Sequence, residues 1–287
     1  MRFPIKFNSK RVNSKFKGIL PLSPDVHDLF DPAIDPKEFG RLMSVFKFGN
    51  TFKSTSFNRY PKTQEMLSNY HFSNKPIILD IGSSDGLASL GLIENMSFKC
   101  YYLTDLNPYV YFKKNGNTIY FYDEKGLLIL FASPLFNIYP QELNFLFSRT
   151  FFNKTNRIDK KLLSDLNLLR LVNPLIKISD SKLEFHKYDM FEAWPKERAD
   201  LIILGNILNR TYFNDDEITR AINNLRIYCN EGALFAIIDN RPNVEEKSSI
   251  FKLSHGKLSL EHRINGGTEI ENLVMQIKTG NPVAAKN

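Results

Sequence analysis

Four apolar runs, each closed by an acid or an amide, set the frame for this chain: PIILD (76–80), KCYYLTD (99–105), LEFHKYD (183–189) and ADLIILGN (199–206). They are too short for long helices and too continuously apolar for a sheet with one wet face, so they suit strands buried on both sides. GALFAIID (232–239) is a fifth such run after the Glu231-Gly232 turn. LASLGLIENM (87–96) reads as a helix, and NDDEITRAINNLRIYC (214–229) as an amphipathic helix with acids in its first turn, where the helix dipole favours them. The alternation predicts an α/β fold: a doubly wound, mostly parallel seven-stranded sheet with helices on both faces. KLSLEHRI (257–264) and ENLVMQIKT (271–279), separated by Gly266-Gly267, are expected to form its antiparallel edge.

The rhythm breaks between Asp105 and Leu183, a gap far longer than a βαβ crossover needs. Within it, residues 117–133 read as a β-hairpin turning at Gly126, and 136–147 and 160–172 read as helices. This predicts an inserted hairpin/helical subdomain over residues 107–181. Upstream, Pro21, Pro24, Pro32 and Pro36 break any long helix, and 61–70 reads as a short one. The expected division is therefore an N-terminal arm and helical lead-in over 1–74, followed by a binding domain over 75–287 that carries the insertion. The aromatic residues of the insertion either bury its own hairpin or, with residues 36–60, form a lid over the site; both readings stay open.

Hydrophobic residues make up 43% of the 287, enough for a sizeable core, and no run approaches the ~18 apolar residues of a membrane span. The net charge of +7 favours anionic partners without choosing among nucleic acid, acidic lipid and acidic protein. Arg2, Lys6, Lys10, Arg11, Lys15 and Lys17 precede the first acid, Asp25. The segment reads as a solvated, partly disordered tail; the sharper alternative is weak contact with an anionic surface. No signal-peptide core follows it, and Cys100 and Cys229 stand apart in apolar elements, so a reducing, cytoplasmic setting is expected. The five histidines show no metal-ligand spacing, and no metal site is expected.

The loop after the first strand reads Asp80-Ile81-Gly82-Ser83-Ser84-Asp85-Gly86. Gly82 and Gly86 permit a sharp turn and close approach of a ligand. A nicotinamide dinucleotide would want a middle glycine and would be repelled by an acid at the strand end, whereas a cationic ligand suits it. This counts against an NAD-dependent oxidoreductase. Asp85 reads as a residue that shapes the loop.

The D-I-G-S-S-D-G stretch resembles the first motif of class I, Rossmann-like, S-adenosylmethionine-dependent methyltransferases. The resemblance covers roughly residues 76–240 outside the insertion. It implies S-adenosyl-L-methionine as cofactor, with Asp80, Gly82 and Gly86 around it and Asp105 on the ribose hydroxyls. Asp189 and Met190 match the position beside adenine, with a helix N-cap as the other reading of Asp189. Asn206 matches the strand-four end that faces the methyl group. A narrower likeness links Thr55-Ser56-Phe57-Asn58-Arg59 and residues 200–213 to chemotaxis-receptor glutamate methyltransferases, where the Thr and Arg help hold the cofactor. The departures are Gly205 in place of that family's Arg, an aromatic pair displaced to Tyr212-Phe213, and no regular helical domain in residues 1–50.

The resemblance implies methyl transfer and leaves the acceptor open; the lid reading of the insertion selects oxygen or nitrogen of a small-molecule or saccharide acceptor. A protein carboxylate acceptor and a non-catalytic nucleotide-binding protein are the alternatives. Asn206, Tyr212 and, as a base, His255 are the expected acceptor-facing residues. Leu106-Asn107-Pro108-Tyr109 follows the second strand rather than the fourth, which counts against amino-methylation of nucleic acid.

Overall fold

The computed structural model describes residues 3–143, 156–177, 182–240 and 245–277. The chain divides into two compact units, one of Met1–Phe57 with Asn107–Leu175, the other of Asn58–Leu106 with Ile176–Asn287. The segment expected as an arm and the segment expected as an insertion thus fall largely in one unit.

The second unit holds a seven-stranded sheet whose strands we number β1 (Ile77–Ile81), β2 (Cys100–Asp105), β3 (Leu183–Lys187), β4 (Ala199–Gly205), β5 (Cys229–Asp239), β6 (Lys247–Ser254) and β7 (Lys257–Ile264). Their order is β3-β2-β1-β4-β5-β6-β7. The pairs from β3 to β5 are parallel; β5–β6 and β6–β7 are antiparallel. The helices of this unit are α1 (Pro61–Ser68), α2 (Leu90–Asn95), α3 (Asp215–Ile227) and α4 (Glu271–Gln276).

Every residue of β1 is buried, as a strand covered on both faces requires. On one face Ile77, Leu79, Tyr102, Ile202, Leu204, Phe235 and Ile237 share a core with Ile218, Ala221, Ile222 and Leu225 of α3 and Val274 of α4. The alternate residues Ile78, Tyr101, Leu103, Ile203 and Leu234 are buried on the other. There the buried α1 residue Gln64 donates to the carbonyl of Ala88 (2.5 Å). Helix α3 starts at a capping box, with the Asn214 side chain accepting from the Glu217 N–H and the Glu217 carboxylate accepting from the Asn214 N–H.

The antiparallel edge exists but is built differently from the expectation. Its hairpin is β6–β7, turning at His255-Gly256, and β6 is a strand the sequence reading missed. Residues 271–276, expected as strand, form α4, and 278–279 lie outside the described residues. Glu271 is held at the start of α4 by Ser249 Oγ (2.7 Å) and by Arg263, so side-chain pairing fixes a helix where the local pattern suggests a strand. The helix expected over 87–96 is a 3-10 turn, Leu87–Ser89, followed by the short α2.

The first unit is a second seven-stranded sheet, ordered Asn167–Arg170, Tyr109–Asn115, Thr118–Tyr122, Leu128–Ala132, Phe136–Ile138, Ile5–Asn8 and Leu22–Ser23. All pairs are antiparallel except the last. Its core gathers Val26, Leu29, Phe39, Leu42 and Phe46 with Val110, Ile119, Phe121, Ile129, Leu130 and Leu171. The hairpin over 117–133 is present, with Gly126 left-handed at φ +76°, but it is the middle of a sheet. The helices expected at 136–147 and 160–172 are absent where the residues are described: Phe136–Ile138 and Asn167–Arg170 are strands, and Pro140–Glu142 and Lys160–Asp165 are 3-10 turns; 144–147 lie outside the described residues. The basic segment is no solvated tail either, because Ile5–Asn8 pairs with both Phe136–Ile138 and Leu22–Ser23. No helix among the described residues is long and apolar enough to cross a membrane.

Candidate functional site

The register of the parallel strands brings the predicted acids to one edge of the second unit. Asp80 of β1 lies opposite Leu103 of β2 and Ile203 of β4, and Asp105 of β2 lies opposite Lys187 of β3. Their carboxyl ends face the same way, and chain order reverses direction between β1 and its neighbours β2 and β4, the crevice where open α/β sheets bind ligands.

Into this crevice β1 delivers the glycine loop. Gly82 (φ +70°), Ser84 (φ +60°) and Gly86 (φ +86°) are all left-handed. Glycine adopts that region freely; serine does so at a cost of about 1–3 kcal/mol, a strain that concentrates at functional sites. The loop is pinned to the end of β2: Ser83 N–H and Oγ both donate to the Thr104 carbonyl (2.8 and 3.1 Å), and Thr104 Oγ1 donates to the Asp80 carbonyl (3.0 Å). Asp85, fully buried, accepts from the Leu87 N–H (3.0 Å), which makes it the loop-shaping residue expected. Ser84 is 7% exposed, and its hydroxyl finds no partner among the described residues. A buried hydroxyl left unpaired costs about 1–3 kcal/mol, which a hydrogen-bonding ligand would remove.

Asp80 is held from within. Its Oδ2 accepts from Ser89 Oγ (2.5 Å) and from the Tyr101 phenol (2.9 Å), and burial pushes its carboxyl up to about 6 despite these two donors. Asp105 is half-buried, and its carbonyl accepts from the Tyr188 N–H (3.1 Å).

The glycines carry a correction. A Cβ built on Gly82 would stand 2.6 Å from Cγ2 of Ile207, and one on Gly86 2.9 Å from Cγ1 of Ile176. The space a side chain would fill at either position is thus taken by this chain's own isoleucines rather than held open for a ligand. Glycine is required there by left-handed backbone and close packing together.

Beyond β3, Asp189 Oδ1 accepts from the Phe191 N–H (3.0 Å), closing a turn with no helix after it. Met190, expected beside adenine, is buried in the apolar core with Leu208, Trp194 and Ile218. At the end of β4, Asn206 is left-handed (φ +59°), and its Oδ1 accepts from the Asn240 N–H beyond β5 (2.6 Å). Tyr212 is half exposed in the loop that follows.

Two side chains unseen from sequence complete this corner. The Asn240 side chain donates to the Arg59 carbonyl, tying residue 59 to the end of β5. The buried Tyr60 places its phenol against Gly205, where a Cβ would stand 2.5 Å from the oxygen. Burial raises that phenol to about 12, so it is a neutral donor at physiological pH. Gly205 thus accommodates Tyr60, a long-range contact with no local sequence signal.

Thr55 belongs to the first compact unit. His255 sits in the β6–β7 turn with its side chain 95% exposed, and its N–H donates to Glu231 at the start of β5 (2.8 Å). Because β6 runs antiparallel to β5, its end lies at the amino edge of the parallel strands, opposite the crevice. His255 is therefore no base for chemistry there. Among the described residues no group of His, Cys, Asp and Glu is set to hold a metal.

No protein-family model and no curated protein matches the sequence. Solved structures do. A putative S-adenosyl-L-methionine-dependent methyltransferase from Methanococcus maripaludis matches at 14% identity and TM-score 0.33, over 63% of this chain and 55% of that one. The mitomycin 7-O-methyltransferase MmcR matches at 14% and 0.33, over 77% and 45%. The N-methyltransferase NodS from Bradyrhizobium japonicum matches at 13% and 0.33, over 62% and 65%. Each match spans less than two thirds of the solved protein's own length. Many of the solved structures similar to this chain are methyltransferases, at low TM-scores.

Proposed function

We propose that the second unit binds S-adenosylmethionine at the carboxyl ends of β1, β2 and β4 and transfers its methyl group to oxygen or nitrogen of a small-molecule or saccharide acceptor. The observation that carries this reading is the left-handed loop with the orphaned Ser84 hydroxyl, set between the acidic ends of β1 and β2. The donor set fits the ligand: it offers carboxylates and hydroxyls to a cation-bearing nucleoside, with no basic side chain in the loop to receive a diphosphate.

When bound, the cofactor supplies a methyl group already activated on a sulfonium. The protein's work is to bind, orient and exclude water. Asp105 would accept from the ribose hydroxyls, and Ser84 Oγ would gain the partner it lacks. Asp80, through Ser89, fixes the turn that carries Gly86 into α2. Asn206, locked by Asn240, and the neutral Tyr60 phenol present polar groups at the β4 end, where an acceptor would be positioned.

Calorimetry with S-adenosylhomocysteine tests the reading. Binding is expected, and Asp105→Ala should weaken it by about 1–3 kcal/mol through loss of a charged acceptor. Tight binding of NAD with none of S-adenosylhomocysteine would overturn the assignment. A labelled-methyl assay against small hydroxyl and amine acceptors then tests transfer itself.

A further inference from the structure

A basic, apolar-tipped corner of the first unit has no role in the chemistry above. After Asn8 the chain leaves the sheet and returns at Leu22–Ser23. The intervening loop is ordered: Arg11 and Val12 N–H donate to the Asn8 carbonyl, Asn13 caps the 3-10 turn Ser14–Phe16 by accepting from Lys15 N–H, and Ile19 and Leu20 N–H donate to the Phe16 carbonyl. The same Asn8 fixes a second reversal, its N–H donating to the Leu135 carbonyl (2.9 Å) and its Nδ2 to that of Pro134 (3.0 Å). Two turns therefore project from one corner of the sheet, both anchored on one buried asparagine.

What they present is unusual for a solvated surface. Phe16 is 53% exposed, Ile19 77% and Leu135 60%. Around the first two stand Arg11, Lys15 and Lys17, all exposed. Lys10 pairs with Asp28 (2.6 Å), but none of those three forms an ion pair among the described residues. The loop contains no acid.

We propose that this corner docks the protein on an anionic lipid bilayer, with Phe16 and Ile19 entering the headgroup boundary and Arg11, Lys15 and Lys17 resting on the acidic headgroups. Bilayer interfaces reward this combination, because apolar burial and attraction to anionic lipid add. Nucleic acid would use the cations and could stack on Phe16, but it gains nothing from exposed Ile19 and Leu135, which have neither a π face nor a hydrogen-bonding group.

The chain's single tryptophan, Trp194, is buried, so the full-length Phe16→Trp variant reports on residue 16 by its emission. Vesicles of 70:30 phosphatidylcholine and phosphatidylglycerol in 0.1 M salt should shift that emission to the blue and co-sediment the protein, whereas pure phosphatidylcholine should bind at least ten-fold more weakly. In the otherwise unaltered chain, Lys15→Glu with Lys17→Glu should lower partitioning at least ten-fold, and Ile19→Ser several-fold. No partitioning onto the acidic vesicles, equal partitioning onto neutral ones, or binding without the blue shift would overturn the proposal. So would lysine-dependent binding of a single-stranded oligonucleotide in the absence of vesicle binding.

Discussion

Both hydrogen bonds at Asp80 Oδ2 come from uncharged hydroxyls, those of Ser89 and Tyr101, and neither cancels a buried negative charge. The carboxyl therefore titrates near 6 in the folded chain, against about 3.9 when unfolded. Between those values the folded state keeps a proton that the unfolded state has released. Its contribution to stability is thus full below about pH 4 and is lost as pH rises through about 6. Asp80→Asn keeps an acceptor for both hydroxyls and removes the charge. It should stabilise the protein by about 2–3 kcal/mol at pH 7.5 and flatten the fall in stability between pH 4 and 6. On the proposed function, it should also weaken S-adenosylhomocysteine. Urea unfolding of both proteins at pH 4.5 and 7.5 reads the first effect, and an unchanged pH slope would place the titrating group elsewhere. Such an opposition between stability and binding is expected where a fold keeps a charge for a ligand.

Among the elements, the hairpin Thr118–Tyr122 and Leu128–Ala132 changes most in meaning between sequence and structure. Read locally, it looks like a detachable flap. In the fold it is flanked on both sides, and Ile119, Phe121, Ile129 and Leu130 are core. Replacing residues 117–133 by a Gly-Ser linker should therefore unfold the first unit rather than trim a lid. Proteolysis should then cut within residues 39–47, most of which are buried in the intact protein; an intact, protease-resistant product would show that the hairpin is dispensable. The central parallel strands were legible because burial on both faces imprints an apolar run, as in Ile77–Ile81 and Ala199–Gly205, whereas the edge strand Leu183–Lys187 is only partly buried. The glycine loop was legible because left-handed backbone demands its residue types. Strand β6, SSIFKLS with polar residues at both ends, carries no such run, and missing it displaced His255 to the wrong edge of the sheet. Tyr60 against Gly205 and Ile207 against Gly82 are long-range contacts, to which local periodicity is blind.

For the molecule as a whole, the chief surprise is that one compact unit is assembled from two distant stretches of chain. Ile5–Asn8 covers the edge of Phe136–Ile138, Ser23 Oγ accepts from Asn137 Nδ2 (2.9 Å), and the Pro4 carbonyl accepts from the Tyr139 N–H (2.8 Å). Deleting residues 1–24 should thus lower stability by on the order of 2–4 kcal/mol through the lost edge strand. The loss would appear as a reduced urea midpoint and faster hydrogen exchange in Leu128–Ala132. A solvated tail would leave both unchanged. This discontinuity also has a timetable. Asn8 and the Pro134 carbonyl it binds lie 126 residues apart. At ~5–20 residues per second, a ribosome takes on the order of ten seconds to make the partner after the first strand has been polymerised. Throughout that interval the side of Ile5–Asn8 that pairs with Phe136–Ile138 is an open edge on the nascent chain, and Lys6 within it, with Lys10 and Arg11 beyond, places charges that disfavour pairing with a neighbour's.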